Sequence, residues 1–388
     1  NTSGHNNTSS GYRALSENTT GCRNTAIGAC TLDDNTTGNN NTAVGFMSLV
    51  NNTTGSHNAA TGIQVLYTNT TGAGNTASGS YALYKNTTGA CNTASGTVSL
   101  YGNTTGCFNA AFGRDALRCN TTANNNTAVG ACSLYANTTG AENTAVGFMA
   151  LVKNTCGNHN TAVGKMAMCD TTSGSYNVAV GNCTLTNQTV GSSNTVIGYR
   201  VGSSMTSGCY NAAIGSSTFK NNTTGCYNTS VGYRSLRLNT TGNCNTAVGH
   251  VSLYSNSTGL RNVGVGENSL TTNTTGNNNT ALGWGAMINN TTGCRNTSSG
   301  YASLYDNTTG HSNVANGDLA LRNNTTGDYN VAIGVCSLFA AETANNNIAL
   351  GAFAMCCNTT GEGNTALGRS SLQANTTGDK NTAVGRAS

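Results

Sequence analysis

The chain has 388 residues, of which 50 are Gly, 16 are Cys and none is Pro, and only 8% are charged, against ~25% in soluble globular domains. Such a composition excludes an ordinary globular enzyme, and a formal net charge of +4 with no basic run makes nucleic acid an unexpected partner. No stretch approaches the ~20 consecutive apolar residues that span a bilayer, so membrane insertion is not expected.

One phrase, Asn-Thr-Ala-Val-Gly followed by Asn-Thr-Thr-Gly, recurs from end to end. With the Gly that closes Asn-Thr-Ala-Val-Gly taken as position 1, it falls at Gly11, Gly28, Gly45 and onward to Gly385, always 17 residues apart, through 22 intervals without insertion or deletion. A register held that strictly implies that each repeat stacks on the last. Seventeen residues without Pro suit one coil of a β-solenoid, because helical repeats need roughly 30 or more. The expected fold is all-β: a parallel β-solenoid (β-helix or β-roll) of about 23 coils, 17 residues each, running uninterrupted over residues 1–388. It lacks distinct caps and is expected to be part of a longer fibre.

In chain order through one coil, the first expected strand is Asn-Thr-Ala-Val at positions 14 to 17, as in Asn41 to Val44. Position 14 is Asn in every coil, beginning Asn7, Asn24, Asn41, Asn58, Asn75, Asn92, Asn109, Asn126, Asn143 and Asn160. Amides stacked at the coil spacing donate and accept along the axis, so this is read as a structural Asn ladder. By the two-residue period of a strand, position 15 shares a face with position 17, mostly Val or Ile, and both are expected to point into the core. Position 16, almost always Ala or Ser, is then expected to face outward against a nearby backbone, either a neighbouring chain or a folded-back wall.

The Gly at position 1 marks a corner. A second strand is expected at small-Leu, positions 4 and 5, as in Ser48-Leu49; Leu at position 5 gives way to Met168, Met287, Met355 and Phe219, as a core ladder would. Positions 2, 3, 6, 7, 12 and 13 vary in charge and size and are expected to face solvent. Tyr67, Tyr84 and Tyr101 stand at position 6 of three consecutive coils. They form either a sheet-stabilising aromatic ladder or a sugar-binding strip.

Positions 8 to 11 read Asn-Thr-Thr-Gly. Position 8 is Asn in 18 of the 22 coils that start between Gly11 and Gly368, and 17 of these complete an N-glycosylation triplet. They are Asn18, Asn35, Asn52, Asn69, Asn86, Asn103, Asn120, Asn137, Asn222, Asn239, Asn256, Asn273, Asn290, Asn307, Asn324, Asn358 and Asn375. Two readings stand side by side: covalent glycans on one line of the rod, or plain turn chemistry that matches the triplet by accident. A flat Thr array at positions 9 and 10 raises a third, an ice-binding face, which adjacent Thr residues serve poorly because they point to opposite sides of a strand.

The Cys residues form no Cys-x-x-Cys pair, which argues against zinc. Stacked neighbours at the ~4.8 Å strand spacing fall within disulfide reach. The candidate pairs are Cys91 with Cys107, Cys119 with Cys132, Cys169 with Cys183, and Cys209 with Cys226, with Cys244 an alternative partner for Cys226 and free thiols open. This Cys content, with the Asn-x-Thr triplets, favours an oxidising extracellular setting. The His residues, His5, His57, His159, His250 and His311, lie in different phases of the repeat, and no carboxylate pair recurs, so no catalytic, metal or cofactor site is expected.

At Asn-Thr-Ala-Val-Gly-x-x-Ser/Ala-Leu the chain resembles the head repeats of trimeric autotransporter adhesins, and also the Asn-Thr-Ala-Val-Gly arrays of bacterial and viral fibre-like proteins. The surplus triplets are similar in composition to glycan-coated extracellular fibrils. The resemblance implies an extracellular fibrous or adhesive stalk at a cell or virion surface, trimeric in the adhesins, with position 16 near a chain interface. The functional expectation is a structural, non-enzymatic extracellular fibre, glycosylated and disulfide-stabilised, that self-associates end to end or as a trimer. An adhesin or receptor-binding shaft that engages glycans or a host surface is the alternative, and an ice-binding solenoid the third.

Overall fold

The structure, a computed structural model, describes residues 1–388. It is a parallel β-solenoid with 23 strands, one three-residue strand per 17-residue coil, and no helix. The chain forms two compact units, Asn1–Ser193 and Asn194–Ser388. The first runs from β1 (Thr8–Ser10) to β11 (Val178–Val180) and the second from β12 (Thr195–Ile197) to β23 (Thr382–Val384). Within each unit, successive strands pair parallel and in register: Thr25, Ala26 and Ile27 lie opposite Thr42, Ala43 and Val44, and Thr246, Ala247 and Val248 opposite Val263, Gly264 and Val265.

Positions 4 and 5 do not form the expected second strand. Residues at positions 3 and 5 take left-handed conformations, such as Met47 and Leu49, both at φ 53. Their N–H groups bond in opposite directions along the axis: Met47 donates to Ala29 O in the preceding coil at 3.0 Å, and Leu49 to Val65 O in the following coil at 2.9 Å. For bulky side chains this region costs on the order of 1 kcal/mol per residue, so the inter-coil bonds and the burial of Leu must hold it. Val98, β-branched at φ 61, carries this strain with little core packing in return. Replacing Val98 by Asn, which tolerates φ > 0, is expected to raise stability by about 0.5–1 kcal/mol, read as a higher guanidinium midpoint.

The core is the reverse of the expected strand face. Position 16 is buried in nearly every coil, position 15 is half-buried to exposed, and position 17 faces solvent, with Ile27 and Ile214 44% and 42% exposed. Position 5 is buried as expected, from Leu32 to Met355. The reason is width. At Gly264, a position-16 glycine, an added Cβ would stand 2.7 Å from Ser252 Oγ, 3.1 Å from Ser269 Oγ and 3.3 Å from Leu253 Cγ. The interior between position 16 and positions 4 and 5 thus holds a methyl group and little more. Small residues there face the folded-back wall of their own chain, not a neighbouring one, and Val or Ile at 17 has no room inside. The coil that starts at Gly198 keeps its volume differently. Gly202 replaces Leu at position 5, while Val201 and Met205 are fully buried at positions 4 and 8.

Candidate functional surfaces

Two amide ladders define the wall opposite the strand. At position 8, within each uninterrupted run, Asn Nδ2 donates to the Oδ1 of the Asn one coil earlier, as Asn52 to Asn35 and Asn69 to Asn52, both 2.8 Å. The same Nδ2 donates to the carbonyl of Gly at position 11 in its own coil, Asn52 to Gly55 at 2.9 Å. At position 14, Asn41 Nδ2 reaches that same Gly55 carbonyl at 2.8 Å. Its Oδ1 accepts the backbone N–H of Asn58 at 2.9 Å. The Gly carbonyl at position 11 is therefore the shared acceptor of both ladders, which explains why Asn-Thr-Thr-Gly and the position-14 Asn recur together. Between them, the N–H groups of Thr36, Thr37 and Gly38 and the Thr36 hydroxyl all converge on Thr53 O at 2.9 to 3.3 Å.

This geometry corrects the glycosylation reading. Sixteen of the seventeen triplet Asn side chains are buried, and Asn375 is half-buried with its Nδ2 bonded to Asn358 Oδ1 at 2.9 Å. The Nδ2 that would carry a sugar is thus spent on intra-wall hydrogen bonds along the line from Asn18 to Asn375. A glycan there is incompatible with the folded coil. Where the row is interrupted, a partner is lost. Asn154 Oδ1 before Thr171, and Asn324 Oδ1 before Ala341, are buried without a hydrogen bond, as are Thr171 Oγ1 and Gln188 Oε1.

Position 12, expected to vary without constraint, has a backbone task. Its side chain accepts the N–H of position 12 in the preceding coil, as Asn39 Oδ1 does from Cys22 at 2.8 Å and Ser56 Oγ from Asn39 at 3.0 Å. Cysteine serves the same role. Ala90 N–H donates to Cys107 Sγ at 3.3 Å, and Cys209 N–H to Cys226 Sγ at 3.1 Å. The restriction to short side chains bearing an acceptor in most coils was the signal that the composition of this position carried.

All sixteen cysteines are unbridged, including Cys91, Cys107, Cys119, Cys132, Cys169, Cys183, Cys209 and Cys226. Burial, with the nearby Asp170 carboxylate, pushes the Cys169 thiol up to about 11. Cys356 is also pushed up to about 11, by burial and then by its contact with Cys357, whose sulfur is 3.5 Å away. Thiolate, not thiol, is the nucleophile. Iodoacetamide near pH 8 is therefore expected to modify exposed Cys91, Cys156 and Cys244 well before Cys169 and Cys356, read by timed peptide mass mapping.

The Tyr67, Tyr84 and Tyr101 rings stack with centroids 5.1 and 5.2 Å apart and nearly parallel planes. Each inner ring face is covered by its neighbour, so the row works as a ladder and offers a sugar mainly ring edges. Burial, then the neighbouring Tyr hydroxyls, raises the Tyr84 pKa. His159 pairs with Glu142 at 2.9 Å and stacks on Tyr176, and His250 lies 3.7 Å from Glu267. These are local surface pairs one coil apart. No group of three or more His, Cys, Asp or Glu side chains is placed to hold a metal ion. No helix is long and apolar enough to cross a membrane. An apolar groove of about 510 Å³ runs between the position-3 and position-6 rows, lined by Leu319, Cys336, Phe339, Ala340, Phe353, Cys356 and Cys357.

Neither a family model nor a curated protein matches the chain.

Proposed function

We propose that the chain is a structural, non-enzymatic scaffold, a repeat module of an extracellular fibre or stalk. The observation that carries this reading is that a coil closes a large share of its polar groups against the neighbouring coils. The ladder Oδ1 atoms, the position-9 carbonyls and the position-12 N–H groups all find their partners one repeat away. The surface that stabilises the fold is thus the surface that repeats, which suits an element whose role is length and stiffness. The extracellular setting rests on composition: few charges, and Thr, Asn and Gly throughout. An adhesive shaft is the second reading, supported by the apolar groove around Phe339 and Phe353, which would take a nonpolar group of a partner.

The test is modular deletion. Removing one whole coil, residues 52 to 68, is expected to leave the circular dichroism per residue unchanged and electron micrographs still showing elongated particles. Removing half a coil, residues 52 to 59, is expected to disrupt the ladders on both sides of the cut. Compact, equiaxed particles from the intact chain, or equal damage from the two deletions, would overturn the scaffold reading.

A further inference from the structure

The strand face turned to solvent is an unpartnered sheet, and in the second unit it has the make-up of an interface. Position 17 is aliphatic in ten of the twelve strands between Thr195 and Val384, and position 15 is β-branched in eleven. Neither row holds a charged residue in this unit. Ile197, Ile214, Val265, Leu282, Ile333 and Leu350 are each exposed by 37% or more. In a soluble monomer, contiguous apolar patches beyond a few hundred Å² mark interaction sites.

We propose that this face docks against the same face of a second copy of the chain. Three observations select that occupant. The surface is self-complementary, because parallel strands in register place β-branched and aliphatic side chains at one repeating interval. Two such faces can interdigitate as dry paired sheets do. Its area is sufficient: twelve strands at ~4.8 Å, with side chains covering a band roughly 12–15 Å wide, give roughly 700–850 Å² per copy, the size of a stable interface. The flank mixes aromatic and charged residues, with Tyr233, Trp284 and Tyr301 exposed along position 2 beside Glu267 and Asp318, as interface margins do. Those protruding rings also break the flatness that an ice surface would require. The pairing is isologous, so it closes at two copies. It rests on the scaffold reading only in sharing the same fold, and it would persist in a protein that forms no filament.

The experiment is sedimentation equilibrium of the full chain at micromolar concentration. A closed dimer, twice the mass of the chain, is expected. The double variant Val265→Lys, Leu282→Lys, which places like charges against each other across the pairing, is expected to weaken it about 100-fold or more with unchanged circular dichroism. The milder Val265→Thr, which keeps the branched shape, is expected to weaken it less. A wild-type monomer across the accessible range overturns the proposal, and so does a monomer that slows ice growth. A mass that rises without limit and ignores the double variant also overturns it, while leaving end-to-end stacking and the scaffold reading intact.

Discussion

Replacing Gly249 by Ala is expected to cost roughly 3–5 kcal/mol, the range of the most damaging single substitutions. Gly249 sits at φ +134, a region that L-residues essentially do not enter. A Cβ there would also lie 2.5 Å from Gly266 O and 2.7 Å from Gly266 C, both main-chain atoms of the next coil. The neighbour cannot move aside, because Gly266 meets Gly283 in the same way. Gly259→Ala at position 11 is the control. An added Cβ there would also crowd Asn256 Oδ1 and lie 2.5 Å from Gly276 O, but its φ is not in the positive region, and Ala123 and Ala344 are accommodated at that position in other coils. It is expected to cost no more than about 1–2 kcal/mol. Guanidinium unfolding followed by circular dichroism compares the two, and hydrogen exchange at Val248 and Val265 reports whether the opening is local. Equal midpoints for the two variants would mean that the corner is softer than its backbone contacts imply.

The second large effect is expected at Asn262. Its Nδ2 donates to Gly276 O at 2.7 Å, and its Oδ1 accepts the buried N–H of Asn279 at 3.0 Å. Asn262→Ala removes the closer of two donors to the Gly276 carbonyl and strands the main-chain N–H of Asn279, for a cost of about 2–4 kcal/mol. Asn256, one row over, donates to Asn239 Oδ1 at 2.8 Å and accepts from Asn273 Nδ2 at 2.7 Å. Asn273 keeps Gly276 O at 3.1 Å when that acceptor is lost, so Asn256→Ala is expected to cost only about 1–2 kcal/mol. The reverse change tests the same physics. Ala341→Asn supplies a donor to the orphaned Asn324 Oδ1 and is expected to stabilise by about 1 kcal/mol. If Ala341→Asn lowers the midpoint, the ladder is limited by space and not by hydrogen bonding.

These two rows show how far the repeat could be read before the structure. The 17-residue coil, the Leu ladder at position 5 and the amide ladder at position 14 were all legible, because each is written as near-invariance at one phase. The difference between rows 8 and 14 was visible as tolerance: Met205 and Ala341 replace Asn at position 8, and nothing replaces it at 14. Only the structure supplies the cause, a main-chain N–H that the position-14 Oδ1 alone can reach. Apolar substitutes at position 8 were themselves a sign of burial, which the match to a glycosylation triplet obscured. The strand face was misread because hydrophobicity ranks Val above Ala, whereas a coil this thin selects by volume. Ser78, Phe112 and Asn316 at position 17 tell of an outer surface that accepts any size, and the Ala, Ser and Gly of position 16 tell of a gap that accepts only a small side chain. The task of position 12 was hidden because Asn, Ser, Asp, His and Cys look unrelated until they are seen as acceptors of one N–H.

The position-8 row also has an electrical direction. From Asn18 to Asn154 every side-chain amide points its N–H toward the amino-terminal neighbour and its oxygen toward the carboxyl-terminal one. Main-chain N–H groups point both ways along the axis, as Met47 and Leu49 do, more of them toward the following coil than toward the preceding one. The side-chain dipoles add, in the manner of peptide units in a helix, and polarise one another through the buried chain of bonds. Each uninterrupted run of Asn is thus a one-way electret within the wall, and a residue such as Ala341 divides it into shorter segments.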